Sequence, residues 1–315
     1  MPNLRILSPG FQTTVQDLGR PGFAHQGISA SGAADPISLR LGNLLVGNPE
    51  NAAALEMTLV GGVFQFDSPA VIAIAGADFE AECNGVRAPM HTGLYMKVGD
   101  VLAFRGTRTG ARCYLCIAGG FQVPPLLGSR STHLTTGLGG HGGRALKKGD
   151  VIEFGFIPDS AIPLRRIPEQ VLQCLHRTTL RVTSGPQAEW FGENPLETLT
   201  HNPYNVTESC SRMGIRLQGI PLRSLLQREM ITQGASLGAI QIPPEGLPII
   251  LFVEHQTTGG YPIIANVITA DLHAVGQLRP RDRVRFELVS FQQAVELASQ
   301  LYLLLNSQIL EPAHD

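Results

Sequence analysis

The chain has 315 residues and a formal net charge of −2 at pH 7, with no long run of basic residues. This length is enough for two domains of ordinary size, and the charge gives no electrostatic basis for binding nucleic acid. The longest apolar runs, at residues 248–253 and 301–305, fall far short of the roughly 20 residues that span a bilayer. The first residues lack a signal-peptide pattern, so we expect a soluble, cytoplasmic protein that does not bind membranes.

The predicted elements are mostly short strands separated by glycine and proline. A helix is expected after Asp35, because Asp35 is a good N-cap and Pro36 suits the first helical position. A weaker helix is indicated at 168–175, and a C-terminal helix follows Ser290, which forms a capping box with Gln293. In chain order, the strand candidates are residues 4–7, 63–66, 71–75, 113–118, 180–183, 214–217 and 249–253.

Three further strands share one local form, in which a turn with an aspartate precedes the strand. They lie at residues 98–104, 148–154 and 280–286, and the last has the alternation of a half-buried strand. A stretch with two prolines at 157–167 is a plausible linker. The sequence therefore predicts two related barrel or sandwich domains, at residues 1–160 and 161–315.

Two motifs resemble a metal site and a nucleotide site, but their predicted surroundings do not suit either. Cys113 and Cys116 have the spacing of half a zinc or redox site, but they lie in a predicted strand, where positions i and i+3 face opposite sides. We interpret them as small buried side chains, and the histidines lack paired metal-ligand spacing, so no metal site is predicted. Residues 137–142 match a dinucleotide-binding glycine pattern, but a strand follows where the helix should be. A mobile glycine loop near a site is the better interpretation.

Three polar segments are candidates for a functional site. Asp17 lies in the segment 14–22 with Arg20, and an Asp17–Arg20 turn bridge is the structural alternative. Arg130 lies in a hydroxyl-rich turn with Ser131 and Thr132, and arginine binds carboxylate or phosphate through a two-pronged contact. Arg212 precedes a predicted strand.

The richest segment follows the apolar run at 248–253. It offers an amide, two hydroxyls, a phenol and glycine N–H groups, which suit an anion or a planar amide. The plain alternative is a Gly-Gly turn with exposed threonines. Its residues are Gln256, Thr257, Thr258, Gly259, Gly260 and Tyr261.

Taken in order, the motifs resemble the biotin-dependent carboxyltransferase family, also called allophanate hydrolase subunit 2. The likeness runs from about residue 4 to 290. Two departures from the family pattern are present: the pair Glu254-His255 replaces a usual aspartate and a frequent arginine, and Ile263 replaces a frequent lysine. The motifs are Thr-Val-Gln-Asp-Leu-Gly-Arg (14–20), Ser-Gly-Ala-Ala-Asp (31–35), Leu-Val-Gly-Asn (45–48), Leu-Glu-Met-Thr (55–58), Gly-Ser-Arg-Ser-Thr (128–132), Arg-Met-Gly-Ile-Arg-Leu (212–217), Gly-Ala-Ile-Gln-Ile-Pro-Pro-Glu-Gly (238–246) and Gln-Thr-Thr-Gly-Gly-Tyr-Pro (256–262).

This resemblance implies a mainly β fold of two cyclophilin-like β-barrel domains, with a few short helices and a C-terminal helix. It implies the C subunit of an ATP-dependent 5-oxoprolinase, a hydrolase that opens the lactam of 5-oxo-L-proline to L-glutamate and that also contains an A and a B subunit. ATP and Mg²⁺ are expected in the complex. The alternatives are a carboxyltransferase acting with carboxybiotin on urea or another small acceptor, the only case that involves biotin, and a regulatory protein that antagonises a kinase inhibitor.

The resemblance and the chemistry together suggest roles for the candidate residues. Arg130 and Arg212 are predicted to hold an anion, and Asp17 and Asp35 are candidate acid, base or metal-facing groups. The hydroxyls of Ser131 and Thr132 and the loop from Gln256 to Tyr261 are predicted to bind substrate.

Overall fold

A computed structural model describes residues 1–155, 162–175, 177–192, 194–224, 230–306 and 309–313. The chain forms two compact units. Unit 1 contains Met1–Arg20, Ser31–Leu172 and the C-terminal segment from Ile309, and unit 2 contains Pro21–Ala30 and the chain from Gln173 up to that segment. The predicted domain boundary at 160/161 and the first part of the predicted linker lie outside the described residues.

Unit 1 is built from two antiparallel sheets around one apolar core. The sheets have the strand orders β11-β1-β4-β9-β6-β7 and β2-β3-β10-β5-β8. A two-stranded pair, β12 with β22, joins the C-terminal segment to this unit. The strands are β1 Asn3–Ser8, β2 Gln12–Gln16, β3 Ala54–Thr58, β4 Val63–Phe66, β5 Ala70–Gly76, β6 Glu82–Cys83, β7 Val86–Arg87, β8 Gly93–Met96, β9 Val101–Ala103, β10 Arg112–Ile117, β11 Val151–Glu153, β12 Arg165–Arg166 and β22 Glu311–Pro312.

The five-stranded sheet has an apolar face and a mixed face. Leu55 of β3 and Leu115 of β10 point into the core, and Glu56 and Tyr114 alternate with them on the other face. The helix α1 (Pro36–Leu45) packs on this second face, where a Cβ at Gly42 would meet the Sγ of Cys116 at 2.6 Å. Glycine therefore allows α1 to approach the sheet closely.

Unit 2 is a closed barrel with the strand order β13-β20-β17-β18-β15-β14-β21. A separate pair of short strands, β16 and β19, lies outside this barrel order. The strands are β13 Thr179–Ser184, β14 Tyr204–Val206, β15 Gly214–Gln218, β16 Gln233–Gly234, β17 Ala239–Gln241, β18 Ile249–Leu251, β19 Thr258–Gly259, β20 Ile263–Val267 and β21 Arg283–Leu288. The remaining helices are α2 Glu169–Leu175, which begins in unit 1 and ends in unit 2, and α3 Pro195–His201, α4 Leu272–Gly276 and α5 Phe291–Asn306 of unit 2.

These elements confirm the predicted mainly β class, with few helices and a C-terminal helix. Asp35 caps α1 through its carboxylate, which accepts from the N–H groups of Ile37 and Ser38 at 3.1 and 3.0 Å. The capping box of α5 is also confirmed, since Ser290 and Gln293 exchange hydrogen bonds of 2.8 and 3.1 Å.

The three predicted aspartate turns have the same geometry. The carboxylates of Asp100, Asp150 and Asp282 accept from the N–H three residues earlier at 2.7, 2.8 and 2.8 Å. The residue before each aspartate has a left-handed backbone, with φ of 87° at Gly99, 91° at Gly149 and 74° at Arg281. The recurrence predicted from sequence is therefore a repeated turn, present twice in unit 1 and once in unit 2.

Among the described residues, no helix combines the length and the apolar character needed to cross a membrane.

Candidate functional site

Asp17 follows β2 and holds the turn that carries Arg130. Its carboxylate accepts from Ser129 Oγ at 2.6 Å, from the N–H of Gly19 at 2.8 Å and from the N–H of Arg130 at 2.5 Å. The hydroxyl of Ser131 donates to the same carboxylate and accepts from the Asp17 N–H. A buried carboxylate with this many donors fixes the segment after β2 and the turn at 129–131 relative to each other. The acid/base role of Asp17 stays a prediction.

Arg130 has its backbone fixed by Asp17, and its half-buried side chain donates from Nε to the carbonyl of Val123 at 3.0 Å. Ser131 and Thr132 are fully buried. The Thr132 hydroxyl donates to the carbonyl of Val15 at 3.0 Å. The two hydroxyls thus bind protein atoms in this structure, and their contact with a substrate stays a prediction.

The glycine-rich loop at 137–143 packs on this turn. A Cβ at Gly140 would overlap Oγ1 of Thr132, and a Cβ at Gly139 would lie 2.7 Å from a guanidinium nitrogen of Arg20. Arg20 is 1% exposed and donates to the carbonyls of Leu126 and Ser131. The glycines are required here because backbone and buried side chains approach so closely.

Glu56 and Tyr114 form a buried polar cluster at the N-terminus of α1. The Tyr114 hydroxyl donates to Glu56 at 2.8 Å, and the N–H groups of Ala34 and Asp35 bind Glu56 and Tyr114 at 2.7 and 2.8 Å. Arg112 lies 3.8 Å from the Glu56 carboxylate. Burial, with the nearby carboxylates of Glu56 and Asp35, raises the pKa of Tyr114 well above its usual value. The phenol therefore stays protonated and donates.

Arg212 and Glu254 form a buried ion pair in unit 2. Nε of Arg212 lies 2.5 Å from the Glu254 carboxylate, and the side chains are 4% and 1% exposed. The Glu254 N–H also binds the Arg212 carbonyl at 2.8 Å. Glu254, one of the departures from the family pattern, is thus the partner of a predicted anion-binding arginine. Arg212 would bind a substrate anion only in competition with Glu254.

The loop after Glu254 displays most of its predicted binding groups to solvent. Gln256, Thr258, Gly260 and Tyr261 are exposed, and Thr257 and Gly259 are half-buried. Its strand β19 pairs with β16, with Gln233 opposite Gly259. Burial lowers the pKa of the adjacent His255, so this side chain is neutral at pH 7.

The predicted residues fall into two groups. Unit 1 brings Asp17, Arg130, Ser131 and Thr132 together, with Asp35 at the cap of α1. Unit 2 contains Arg212 and the loop from Gln256 to Tyr261. Within the described residues, no cluster of three or more His, Cys, Asp or Glu side chains could hold a metal ion.

Sequence reasoning assigned no role to several buried polar residues, among them Glu56, Tyr114, Gln241 and Ser129. Glu56 and Tyr114 lie in apolar strands, where a polar residue flanked by core positions is a usable signal of a buried network. Gln241, which is 2% exposed at the end of β17, gives the same signal. Ser129 belongs to one of the quoted motifs, but only the structure shows its bond to Asp17.

Comparisons with known proteins agree with this architecture. The model of the carboxyltransferase domain, subdomain A and B, matches residues 26–288. The C subunit of the 5-oxoprolinase of Escherichia coli (strain K12) is 38% identical over 293 residues, which cover 93% of each chain. The urea amidolyase of Lachancea kluyveri is 33% identical over 93% of this chain, but the match spans only 17% of that protein.

A solved structure extends the match to nearly the whole chain. The crystal structure of the K. lactis urea amidolyase superposes with a TM-score of 0.91 at 29% identity, and it covers 99% of this chain and 21% of that one. The match of the family model to most of the chain, together with these relatives, shows the family directly. The chain belongs to the family of the carboxyltransferase domain, subdomain A and B.

Proposed function

We propose that this chain is the C subunit of an ATP-dependent 5-oxoprolinase, which converts 5-oxo-L-proline to L-glutamate and acts only as a complex with its A and B subunits. The mutual coverage with the E. coli relative of that name, 93% of each chain, carries this proposal. The match to the urea amidolyase of L. kluyveri leaves most of that protein uncovered, at 17%.

The chemistry explains which groups the complex needs. A five-membered lactam is a poor electrophile, and phosphorylation of its oxygen by ATP creates a leaving group and drives the opening. Cationic side chains and N–H donors stabilise the charge that develops in such a reaction. We assign this role in unit 1 to Arg130, whose position Asp17 fixes.

ATP and Mg²⁺ belong to the assembled complex under this proposal. The described residues of this chain do not provide a metal cluster, so no ligand of Mg²⁺ is assigned to it. The exposed loop from Gln256 to Tyr261 is the proposed contact of this chain with the small substrate.

A second candidate is favoured by the urea amidolyase match and by the family model itself. Under it, the chain would be the part of a carboxyltransferase that transfers the carboxyl group of carboxybiotin to urea or another small acceptor. Biotin belongs only to this candidate.

Reconstitution separates the two candidates. Purified chain is mixed with its A and B subunits, and glutamate release is followed with ATP, Mg²⁺ and 5-oxo-L-proline, with each component omitted in turn. We expect release only in the complete mixture. If the complete mixture is inactive while carboxybiotin and urea react, the second candidate replaces the first.

A further inference from the structure

Gln241 occupies an unusual place at the end of a barrel strand. It pairs with Ile249 on one side and with Ile263 on the other, where the register between β17 and β20 shifts after Ile240. Such irregularities redirect a side chain and are frequent beside functional sites. The side chain of Gln241 is 2% exposed.

The amide of Gln241 is incompletely used. Within the described part of the chain, its Nε2 is buried and has no hydrogen-bond partner. Its Oε1 accepts one long bond, 3.4 Å, from Nε2 of Gln256, an exposed residue. A buried donor without an acceptor is costly, and such a group calls for a ligand, a water or a functional role.

The glycine loop lies directly over this amide. A Cβ at Gly259 would lie 2.6 Å from Nε2 of Gln241 and 3.5 Å from Nε2 of Gln256. A side chain at position 259 would therefore displace the carboxamide of Gln241 from its place under the loop. A second pair, Gln187 and Gln233, ties β16 to β20, since Gln187 Oε1 accepts from Gln233 Nε2 at 3.2 Å and from the N–H of Ile263 at 3.0 Å.

We propose that Gln241 is the recognition group of a site for small amides whose N–H and C=O lie on the same edge. A lactam has this edge, because its ring holds the amide in the cis form, and urea has it too. Nε2 of Gln241 donates to the ligand carbonyl, and Oε1 accepts the ligand N–H in place of the long bond from Gln256. The ligand thereby gains two hydrogen bonds and satisfies the buried donor.

The choice of ligand rests on the proposed function. Under that function, Gln241 recognises the lactam edge of 5-oxo-L-proline. It excludes two kinds of analogue. An N-methylated lactam lacks the N–H, and L-proline lacks the carbonyl beside the ring nitrogen.

The kinetic experiment uses the reconstituted complex with Gln241→Glu, which keeps the shape and removes the donor. We expect the KM for 5-oxo-L-proline to rise at least tenfold while the KM for ATP stays within twofold. Gly259→Ala should act in the same direction, because the added methyl displaces the amide. Gln218→Glu, the same change at an exposed position of β15, is the control and should leave both constants unchanged. An unchanged KM for 5-oxo-L-proline in an active Gln241→Glu complex overturns the inference and leaves the proposed function intact.

A binding experiment with the full chain is independent of turnover. Ligand-observed NMR is recorded with 5-oxo-L-proline, N-methyl-5-oxo-L-proline, urea and L-proline. Binding of 5-oxo-L-proline or urea that is lost in Gln241→Glu, together with no binding of the N-methyl compound, supports the site. Equal binding by wild type and variant, or no binding of either amide at millimolar concentration, overturns it. If Gln241→Glu does not fold, the N-methyl comparison on wild type decides alone.

Discussion

At the scale of single residues, substitution of Arg130 should lower activity strongly and stability only slightly. Under the proposed function, Arg130→Ala removes one charge-assisted contact and should lower kcat/KM of the reconstituted complex by roughly 30- to 1000-fold, or ~2–4 kcal/mol. The free energy of unfolding should fall by only about 1 kcal/mol, since the bond to Val123 is lost and the N–H bond to Asp17 remains. Arg5→Ala, at a surface arginine paired with Asp67, is the control for activity. Near-normal activity of Arg130→Ala removes this residue from the site.

The buried pair of Arg212 and Glu254 has a matched surface pair in the same unit. Arg281 and Glu208 lie 2.9 Å apart, but their side chains are 88% and 66% exposed. Glu254→Ala should lower the free energy of unfolding by about 3–5 kcal/mol, because it leaves a buried guanidinium without its carboxylate. Glu208→Ala should cost about 1 kcal/mol or less.

Urea denaturation of both variants measures this difference. The double variant Arg212→Ala/Glu254→Ala should recover part of the loss, since it also removes the buried guanidinium. If Glu254→Ala and Glu208→Ala lower the free energy of unfolding by similar amounts, the ion pair of Arg212 and Glu254 is accessible to water.

His91 provides a pH-dependent contribution to stability. Burial lowers its pKa, and its Nε2 accepts from the Gly76 N–H at 3.3 Å. The folded state therefore resists protonation, so this contribution is fully present above the ordinary pKa of about 6.5 and is lost as the pH falls through the lowered folded value. His91→Gln should lose less free energy of unfolding than wild type between pH 7 and pH 5. His25→Gln, at an exposed position, should follow wild type, and parallel curves for all three proteins would contradict the assignment.

At the scale of elements, the repeated aspartate turn offers an internal comparison. A Cβ at Gly99 or Gly149 would meet no atom within 4 Å, so only their left-handed φ opposes a side chain. Gly99→Ala and Gly149→Ala should each cost about 1 kcal/mol. Arg281 already bears this strain at φ 74°. Arg281→Gly should change the free energy of unfolding by less than about 1 kcal/mol, since the added chain entropy of glycine and the loss of the exposed ion pair with Glu208 offset the relief of strain. Thermal unfolding measures all three, and a gain in stability for either alanine variant would refute the strain argument.

Short sequence patterns correctly predicted the helix caps and turns, because these depend on contacts between residues close together in the chain. The cap at Asp35, the capping box at Ser290 and the three aspartate turns involve contacts within three residues, and the structure contains all of them. The strand β2, Gln-Thr-Thr-Val-Gln, was missed because its polar residues show no alternation. Its Thr14 and Gln16 are buried by partners that the sequence does not indicate. The helix α3 had a usable local signal, Asn194 before Pro195, that was overlooked.

The candidate site was predicted less completely for the same physical reason. The motifs located Asp17 and Arg130, but their contact joins positions 113 residues apart in the chain. The role of Gln241 depends on the register shift between β17 and β20, which no pattern within β17 encodes. Sequence motifs therefore indicated some of the polar residues in these contacts, such as Asp17 and Arg130, and missed others, such as Gln241, because the long-range pairing of strands decides which side chains meet.

At the scale of the whole molecule, the chain divides into two units, and each unit is built from separate stretches of the sequence. Pro21–Ala30 belongs with unit 2, and the segment from Ile309 belongs with unit 1 through the pairing of β12 and β22. A single cut in the chain therefore cannot separate the two units without removing part of one of them. Since each unit contains one group of the candidate residues, variants at either group are best tested in the full-length protein.

Assembly is the last prediction, and it belongs to the whole molecule. The E. coli relative is named as one subunit of an enzyme, and the proposed function requires the A and B subunits. We expect the chain to form a stable complex with its B subunit that buries more than ~1,000 Å², the size typical of specific interfaces. Co-expressed proteins should elute together in size-exclusion chromatography at micromolar concentration, and a mixture of the chain with an unrelated protein of similar mass should not. Two separate peaks for the chain and the B subunit would contradict a stable complex, and activity that appears only once the A subunit is added would then point to a transient assembly.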